Sequence, residues 1–289
     1  MLPFARLAAW IRVNFETTSR PKRVRVRRSF KPGLEELEHR LVPSAVPGPV
    51  PAKIALLAAD APTYVADVKA KIVSTGRFTS AQVDIIPVGN FGSTTPSLAT
   101  LDQYAAVLVW EDFNFADPTT LGNNLAAYVN QGHGVVEAVF ATASEPLTGL
   151  WQTGGYNAIA PSGARGNTDL QLGAVAQPNH PVMVGVHSFD GGSRSYESTG
   201  GLAPNSAGHT SSLIASWSNG SPLVAERTGF MGHVVDLDFF PPSSDTPGRA
   251  DFWQANTDGA KLMANALVYA ETPPPPPHVT VSLARYRYH

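Results

Sequence analysis

Polar side chains follow three of the predicted strands at the points where those strands end. Asp60 follows the first apolar run of the chain, Glu111 and Asp112 follow the third, and Thr142 and Ser144 follow the fourth. Because ligands of open α/β sheets bind outside the carboxyl ends of the strands, we expect all five to line one crevice. Their oxygens suit a small hydroxylated ligand, whereas no metal is assigned, because hard cations need several converging oxygens. The alternative is that these carboxylates cap helices and face water.

The turn Ala141–Ser144 occupies the position at which α/β hydrolases carry a nucleophile. It has no Gly-x-Ser-x-Gly pattern, and the chain contains no cysteine. Thr142 or Ser144 could form a hydroxyl–imidazole–carboxylate relay with His180 and Asp169, although only chain order supports it. A hydroxyl is a weak nucleophile without a base nearby, and His180 is equally well explained as a turn residue bonded to backbone.

Other residues have weaker functional signals. Five aromatic side chains could stack on a sugar ring, although such residues are more often loop anchors or part of the core: Trp110, Trp151, Tyr156, Tyr196 and Trp217. Asp236 and Asp238 project from one face of a strand, and we interpret them as a solvated or strand-end pair. His133 and His233 lack ligand-spaced partners and are interpreted as structural. No glycine-rich segment has the spacing of a phosphate cradle, so no nucleotide cofactor is predicted.

Apolar runs that alternate with segments of helical period would position these residues. The pattern predicts a flavodoxin-like α/β sandwich of three layers, with a mostly parallel sheet covered on both faces and an added antiparallel meander. The predicted strands are 53–59, 83–88, 105–110 and 135–140, and the predicted helices are 62–75, 97–104 and 117–131.

The second half of the domain is less regular. Residues 145–208 lose the helical period, and 178–186 is their most strand-like part. A predicted meander follows at 212–217, 223–226 and 232–240, with Asn219-Gly220 as a hairpin signal. A closing helix is expected over 252–269.

Composition limits the function classes. Residues 1–40 carry ten Lys and Arg against four Glu, whereas the rest has 11 basic and 19 acidic residues. We therefore expect no nucleic-acid binding by the acidic folded domain, although the basic arm could contact nucleic acid or anionic lipid. No apolar run is long enough to span a membrane. The absence of cysteine excludes disulfides and thiolate metal sites.

These patterns divide the chain into four parts. We predict a disordered basic leader over 1–44, a Pro-rich linker over 45–52, the α/β domain over 53–271 and a Pro-rich tail over 272–289. Within the leader, Leu34-Glu-x-Leu-Glu-x-Arg-Leu-x-Pro-Ser44 resembles the LExLExRxxPS ending of basic leaders on many planctomycete surface or exported proteins. This resemblance implies export or association with the cell envelope, and the alternative is an ordinary amphipathic turn in a cytoplasmic protein.

A second resemblance covers residues 53–270. The strand–helix order up to Ser144, the element Asn179-His180-Pro181-Val182 and the ending Gly232-His-Val-Val-Asp-Leu-Asp-Phe-Phe240 together resemble the class I glutamine amidotransferase-like superfamily, in particular its ThuA-like and non-catalytic branches. The resemblance implies a Cys nucleophile on the turn after a sheet strand. Because this chain has none, it is not a working glutaminase of that kind.

Two function classes follow. The first is a non-catalytic amidotransferase-like module of an exported or envelope protein that binds a small polar ligand, a carbohydrate or a protein partner. The second is a carbohydrate-active hydrolase or isomerase that uses the carboxylates of the strand-end crevice. Contact of those carboxylates with His180, Thr142 or Ser144 would favour the enzyme.

Overall fold

The computed structural model describes residues 52–89, 94–206 and 208–272. The predicted basic leader with its LExLExRxxPS motif lies outside these ranges. So do nearly all of the linker and of the tail. The assignments made for those segments stay predictions.

The described residues form ten strands and five α-helices. The strands are β1 (Ile54–Ala59), β2 (Val83–Pro87), β3 (Ala106–Glu111), β4 (Gly134–Ala138), β5 (Ala164–Arg165), β6 (Leu172–Val175), β7 (Glu197–Ser198), β8 (Thr210–Trp217), β9 (Pro222–Thr228) and β10 (Val234–Leu237). The helices are α1 (Pro62–Ser74), α2 (Leu98–Leu101), α3 (Pro118–Asn130), α4 (Leu150–Thr153) and α5 (Gly259–Ala270).

Eight strands form one sheet in the order β2-β1-β3-β4-β10-β9-β8-β6. The first five of these strands are parallel to one another. From β10 onward, β9, β8 and β6 continue the sheet in antiparallel pairs. This confirms the predicted α/β class with a mostly parallel sheet and an antiparallel part. Pro87, which cannot donate to a ladder, lies on the edge strand β2 as expected.

Helices cover both faces of the parallel part. β1 and β3 are buried at every position, as strands between two helical layers must be. On one face, α1 and α5 pack Val68, Ile72 and Leu267 into the core. On the other, α3 contributes Leu121 and Leu125. Helix α3 begins where the sequence predicts, because the Asp117 side chain accepts a hydrogen bond from the backbone N–H of Thr120.

The last sheet strand differs from the predicted meander. Although β10 follows β9 as a hairpin-like neighbour, it also inserts beside β4 and pairs with it in parallel, Asp236 opposite Glu137. The strand is therefore central and buried on both sides. Because β10 lies between β4 and β9, Asp236 and Asp238 are fully buried rather than solvated, contrary to the prediction.

Two further assignments are corrected by packing. The strand-like segment 178–186 contains a 3₁₀ turn at Pro181–Met183 that buries Val182 and Met183, so its apolar residues reach the core without joining the sheet. The closing helix begins at Gly259 rather than at 252. Before it, Phe252 and Trp253 are buried in a turn, and the Asp258 carboxylate is engaged by the backbone N–H groups of His187 and Ser188.

Candidate functional site

Asp60 lies at the carboxyl end of β1 and is almost fully buried. Its Oδ2 accepts a hydrogen bond from Trp110 Nε1 at 2.9 Å, and its Oδ1 accepts one from the Ala61 backbone N–H at 2.6 Å. Burial raises the pKa of Asp60 to about 7, although both hydrogen bonds act in the opposite direction. A cavity of about 140 Å³ opens beside this carboxyl group between β1, β2 and α1.

Glu111 and Asp112 lie next to Asp60 at the end of β3 but differ in exposure. Glu111 is buried, and its Oε2 accepts a hydrogen bond from the Phe115 N–H at 3.2 Å. Burial raises the pKa of Glu111 to about 9, and the nearby carboxylates of Glu145 and Asp112 add to the shift. Asp112 is exposed. Glu111 is therefore protonated at neutral pH, whereas Asp112 can meet a ligand directly.

The turn after β4 presents little nucleophilic chemistry. Thr142 is fully buried, and its Oγ1 has no hydrogen-bond partner among the described residues. Ser144 is exposed to solvent. Among the described residues, no base is hydrogen-bonded to either hydroxyl. Neither side chain has the arrangement that activates a hydroxyl nucleophile.

Five aromatic rings meet at the same edge of the sheet. Phe140 and Tyr196 are 5.4 Å apart, Phe140 and Phe240 5.5 Å, Phe240 and Phe252 5.1 Å, and Phe252 and Tyr64 5.6 Å, all between ring centroids. Tyr64, Phe140 and Tyr196 are half-buried, so each leaves part of its ring accessible.

Arg249 joins this aromatic group to the carboxylates. Its guanidinium carbon lies 3.7 Å from the centroid of the Phe252 ring, and its Nη1 donates to the Tyr64 hydroxyl at 2.9 Å. Asp251 forms an ion pair with it at 3.0 Å. Although Asp112 is exposed, partial desolvation by the surrounding protein raises its pKa, and the positive charge of Arg249 lowers it in part. We call Asp60, Asp112, Arg249 and the five rings the strand-end cluster.

The hypothetical relay is not assembled. His180 lies at the opposite, amino edge of the sheet, where its Nε2 is 3.4 Å from Glu226 Oε2. Asp169 instead accepts a hydrogen bond from the Gln171 side chain at 2.6 Å. The structure therefore separates His180 and Asp169 from each other and His180 from the turn after β4. His180 does cap its 3₁₀ turn, because its Nδ1 accepts from the Val182 N–H.

Trp151 is not available to a ligand. It is fully buried on the α3 side of the sheet, stacked on Tyr156 at 5.0 Å, and its Nε1 donates to Glu137 Oε2 at 3.1 Å. The aromatics that do reach the strand-end edge come from other segments. Of the aromatics that the sequence offers for stacking, Trp151 is therefore excluded and Tyr196 lies at the strand-end edge, because the face that a loop residue occupies cannot be read from the sequence.

Three further carboxyl groups are buried in or next to the sheet, two within strands β4 and β10 and one directly after β10. Glu137, Asp236 and Asp238 each have one oxygen with hydrogen-bond donors and one without a partner among the described residues. Burial raises the pKa of Asp236 to about 7 and raises the pKa values of Glu137 and Asp238 well above their ordinary range. All three are fully enclosed by protein, so we treat them as structural groups. Within the described ranges no three His, Asp or Glu side chains are placed to hold a metal ion.

Comparisons with known proteins support the fold. No family model matches the chain, and no curated protein matches it significantly. A solved ThuA-like protein from Parabacteroides merdae superposes with a TM-score of 0.55 at 16% identity, over 77% of this chain and 91% of that one. The fold is ThuA-like. A protein described as cytoplasmic from Salmonella typhimurium LT2 gives a TM-score of 0.53 at 13% identity, over 76% of this chain and all of that one.

At these identities the ThuA-like likeness concerns the fold alone. It agrees with the α/β fold that the sequence resemblance implies. No helix in the described ranges is long and apolar enough to cross a membrane.

Two members of the strand-end cluster, Asp60 and Asp112, are among the residues selected from sequence. Tyr196 is one of the five aromatics that the sequence offers for stacking, and the remaining members were missed. Arg249 and Phe252 come from an irregular segment after β10, more than a hundred residues after Asp60, Asp112 and Phe140, and Tyr64 lies on α1. Only the charged pair Arg249 and Asp251 in a turn could have signalled them, and such pairs are common on surfaces.

Proposed function

We propose that this chain is a non-catalytic, amidotransferase-like module that binds a small polyhydroxylated ligand, such as a mono- or disaccharide, in the strand-end cluster. The observation that carries the proposal is the meeting of accessible aromatic rings with Arg249 and with carboxylates at one edge of the sheet. Rings cover the apolar face of a sugar, while charged groups bond its hydroxyls.

The empty nucleophile position supports the non-catalytic part of the proposal. With no cysteine in the chain and no base hydrogen-bonded to Thr142 or Ser144 within the described residues, acyl chemistry at the turn lacks its reacting group. Binding needs neither. The buried Glu111 is protonated at neutral pH, so it adds no negative charge beneath the site.

The test is a saturation-transfer NMR and calorimetry screen against a panel of mono- and disaccharides. Asp112→Asn and Tyr196→Ala are each expected to weaken the best sugar about tenfold, the loss of about one charge-assisted hydrogen bond or one stacking face. Asp102→Asn, an exposed carboxylate at the other edge of the sheet, is the matched control and should bind like the wild type. Binding that ignores both site variants, or no binding at all, would refute the proposal.

The pKa of Asp60 favours a second candidate, a carbohydrate-active hydrolase or isomerase. A carboxyl group with a pKa of about 7 lies in the range expected of a general acid, and Asp112 is a neighbouring carboxylate. Turnover of aryl glycosides or of free sugars that is abolished by Asp60→Asn, with binding retained, would replace the non-catalytic proposal by this one.

We also propose that the protein is exported or held at the cell envelope. Support comes from the basic arm at residues 1–40 and from the leader motif at 34–44, as sequence features. Fractionation of cells that express the full chain, or a chain lacking residues 1–44, tests it. Recovery of the full chain in the cytoplasmic fraction alone would favour the cytoplasmic alternative.

A further inference from the structure

A buried group of four polar side chains lies at the amino edge of the sheet, opposite the strand-end cluster. Glu226 of β9 is at its centre, with His180, His233 and Tyr269 around it. The Tyr269 hydroxyl donates to Glu226 Oε1 at 2.5 Å, and His233 Nδ1 lies 3.3 Å from the same oxygen. We call these four residues the Glu226 group.

The hydrogen bonds assign the protons of both imidazoles. Although burial alone raises the pKa of Glu226, hydrogen bonds from His180, His233 and Tyr269 lower it to about 2. The ionised carboxylate only accepts, so His180 Nε2 and His233 Nδ1 carry the protons that face it. His180 Nδ1 is used as well, since it accepts from the Val182 N–H at 3.3 Å.

One ring nitrogen of the group is left over. His233 Nε2 has no hydrogen-bond partner among the described residues, and it points away from Glu226 on a ring that lines a cavity. The ring is held in place by Glu226 and by its contact with Tyr269, with centroids 4.0 Å apart. His233 Nε2 is therefore positioned at the cavity wall to accept a hydrogen bond from a ligand hydroxyl.

The cavity has the size and chemistry of a small-molecule site. Its volume is about 460 Å³, within the range of roughly 300–1,000 Å³ typical of ligand pockets. Val184, Val268 and Pro181 supply apolar walls, and Val184 is 54% exposed although it is a large aliphatic side chain. Val184 therefore offers an accessible apolar surface to a molecule that enters the cavity.

The charge at the rim is positive. Arg77 is exposed, and its guanidinium forms no hydrogen bond or ion pair with the described residues. None of the described residues lining the cavity is acidic. An anionic group at the rim would therefore find a cation and no like charge among the lining side chains, and a carboxylate matches guanidinium geometry in a bidentate manner.

We propose that this cavity is a second binding site, which takes a small hydroxy acid with an apolar body. The ligand hydroxyl donates to His233 Nε2, its body lies between Val184 and Val268, and its carboxylate pairs with Arg77. The site is separate from the strand-end cluster, because His233 precedes β10 whereas the cluster follows the carboxyl ends of the strands. Its test is therefore independent of the sugar screen.

The experiment is calorimetry and saturation-transfer NMR on the full chain with 4-hydroxyphenylacetate as the probe. Phenylacetate, which lacks the hydroxyl, and tyrosol, which lacks the carboxylate, are the comparison ligands. We expect millimolar or tighter binding of the probe and about tenfold weaker binding of each comparison ligand, because each loses one polar contact.

Two exposed positions test the location without disturbing the buried group. Arg77→Gln should weaken 4-hydroxyphenylacetate about tenfold but leave tyrosol unchanged, and Val184→Trp should block both by filling the cavity. Lys69→Gln removes one positive charge from α1 away from the cavity and should bind like the wild type. Failure of the probe to bind at millimolar concentration, or binding unaffected by Arg77→Gln and Val184→Trp, would overturn the proposal.

Discussion

Glu137 shows at the residue scale how this fold holds a buried carboxyl group. Its Oε2 accepts from Trp151 Nε1 and Asn157 Nδ2, whereas its Oε1 is buried without a partner among the described residues. Asp236 lies opposite it on the neighbouring strand. Both burial and that neighbour raise the pKa of Glu137, so the protonated form is the stable one.

Glu137→Gln should therefore stabilise the protein at alkaline pH. The amide keeps one oxygen for Trp151 and Asn157 and removes a carboxyl group that resists ionisation. We expect the free energy of unfolding to rise by about 1–3 kcal/mol at pH 8 and to change less at pH 5. Urea denaturation at the two pH values measures this.

Glu145→Gln is the control for that variant, because Glu145 is exposed and should respond within about 0.5 kcal/mol. Equal destabilisation of Glu137→Gln at both pH values would contradict the interpretation. It would indicate that Oε1 makes an interaction that the amide nitrogen of Gln cannot make.

At the scale of elements, the contact between β4 and α5 sets how closely helix and sheet approach. Gly134 starts β4 against the end of α5, and a Cβ there would lie 2.1 Å from the Ala270 carbonyl oxygen. Backbone cannot move aside as a flexible side chain can. The glycine is therefore required by close approach and not by a turn.

Gly134→Ala is expected to destabilise the protein by about 3 kcal/mol, because helix and strand must separate. Gly201→Ala is the matched control, since a Cβ at that exposed position meets nothing within 4 Å. It should alter stability by less than about 0.5 kcal/mol. Similar melting temperatures for the two variants would show that α5 can shift without loss of packing.

At the scale of the whole molecule, the buried carboxyl groups dominate the dependence of stability on pH. The folded-state pKa is raised to about 7 for Asp60 and Asp236 and to about 9 for Glu111. Such a group holds a proton in the folded state that the unfolded chain releases above its ordinary pKa. The contribution of such a group to the free energy of unfolding is complete below its ordinary pKa, and it is lost as pH rises through the folded-state pKa.

We therefore predict that the melting temperature falls as pH increases from 5 to 9. Glu226 acts in the opposite sense, because its folded-state pKa is lowered to about 2. Its stabilising contribution is present at pH values above its ordinary pKa and is lost as pH falls toward 2. Together they place the maximum roughly between pH 4 and 6. Circular dichroism melts across this range measure it, and a melting temperature that rises from pH 5 to 8 would contradict the raised pKa values.

Strand and helix order were determined by the sequence alone. The apolar runs before Asp60, Glu111 and Thr142 became β1, β3 and β4, because runs that are buried on both faces and separated by amphipathic helices have few other ways to pack. The same topology placed Asp60 and Asp112 at one edge of the sheet. Local patterns suffice for these features, since each depends on residues that are near in the chain.

Tertiary structure decided which side chains meet. β10 is central rather than part of an outer meander because it pairs with β4, about a hundred residues earlier, and that pairing buries Asp236 and Asp238. Arg249 and Phe252 reach Tyr64 of α1, and His180 reaches Glu226, through contacts between distant segments. No local period encodes such contacts. The sequence thus located the edge at which a ligand would bind, and only the packed chain supplied the aromatic and cationic groups proposed to hold it there.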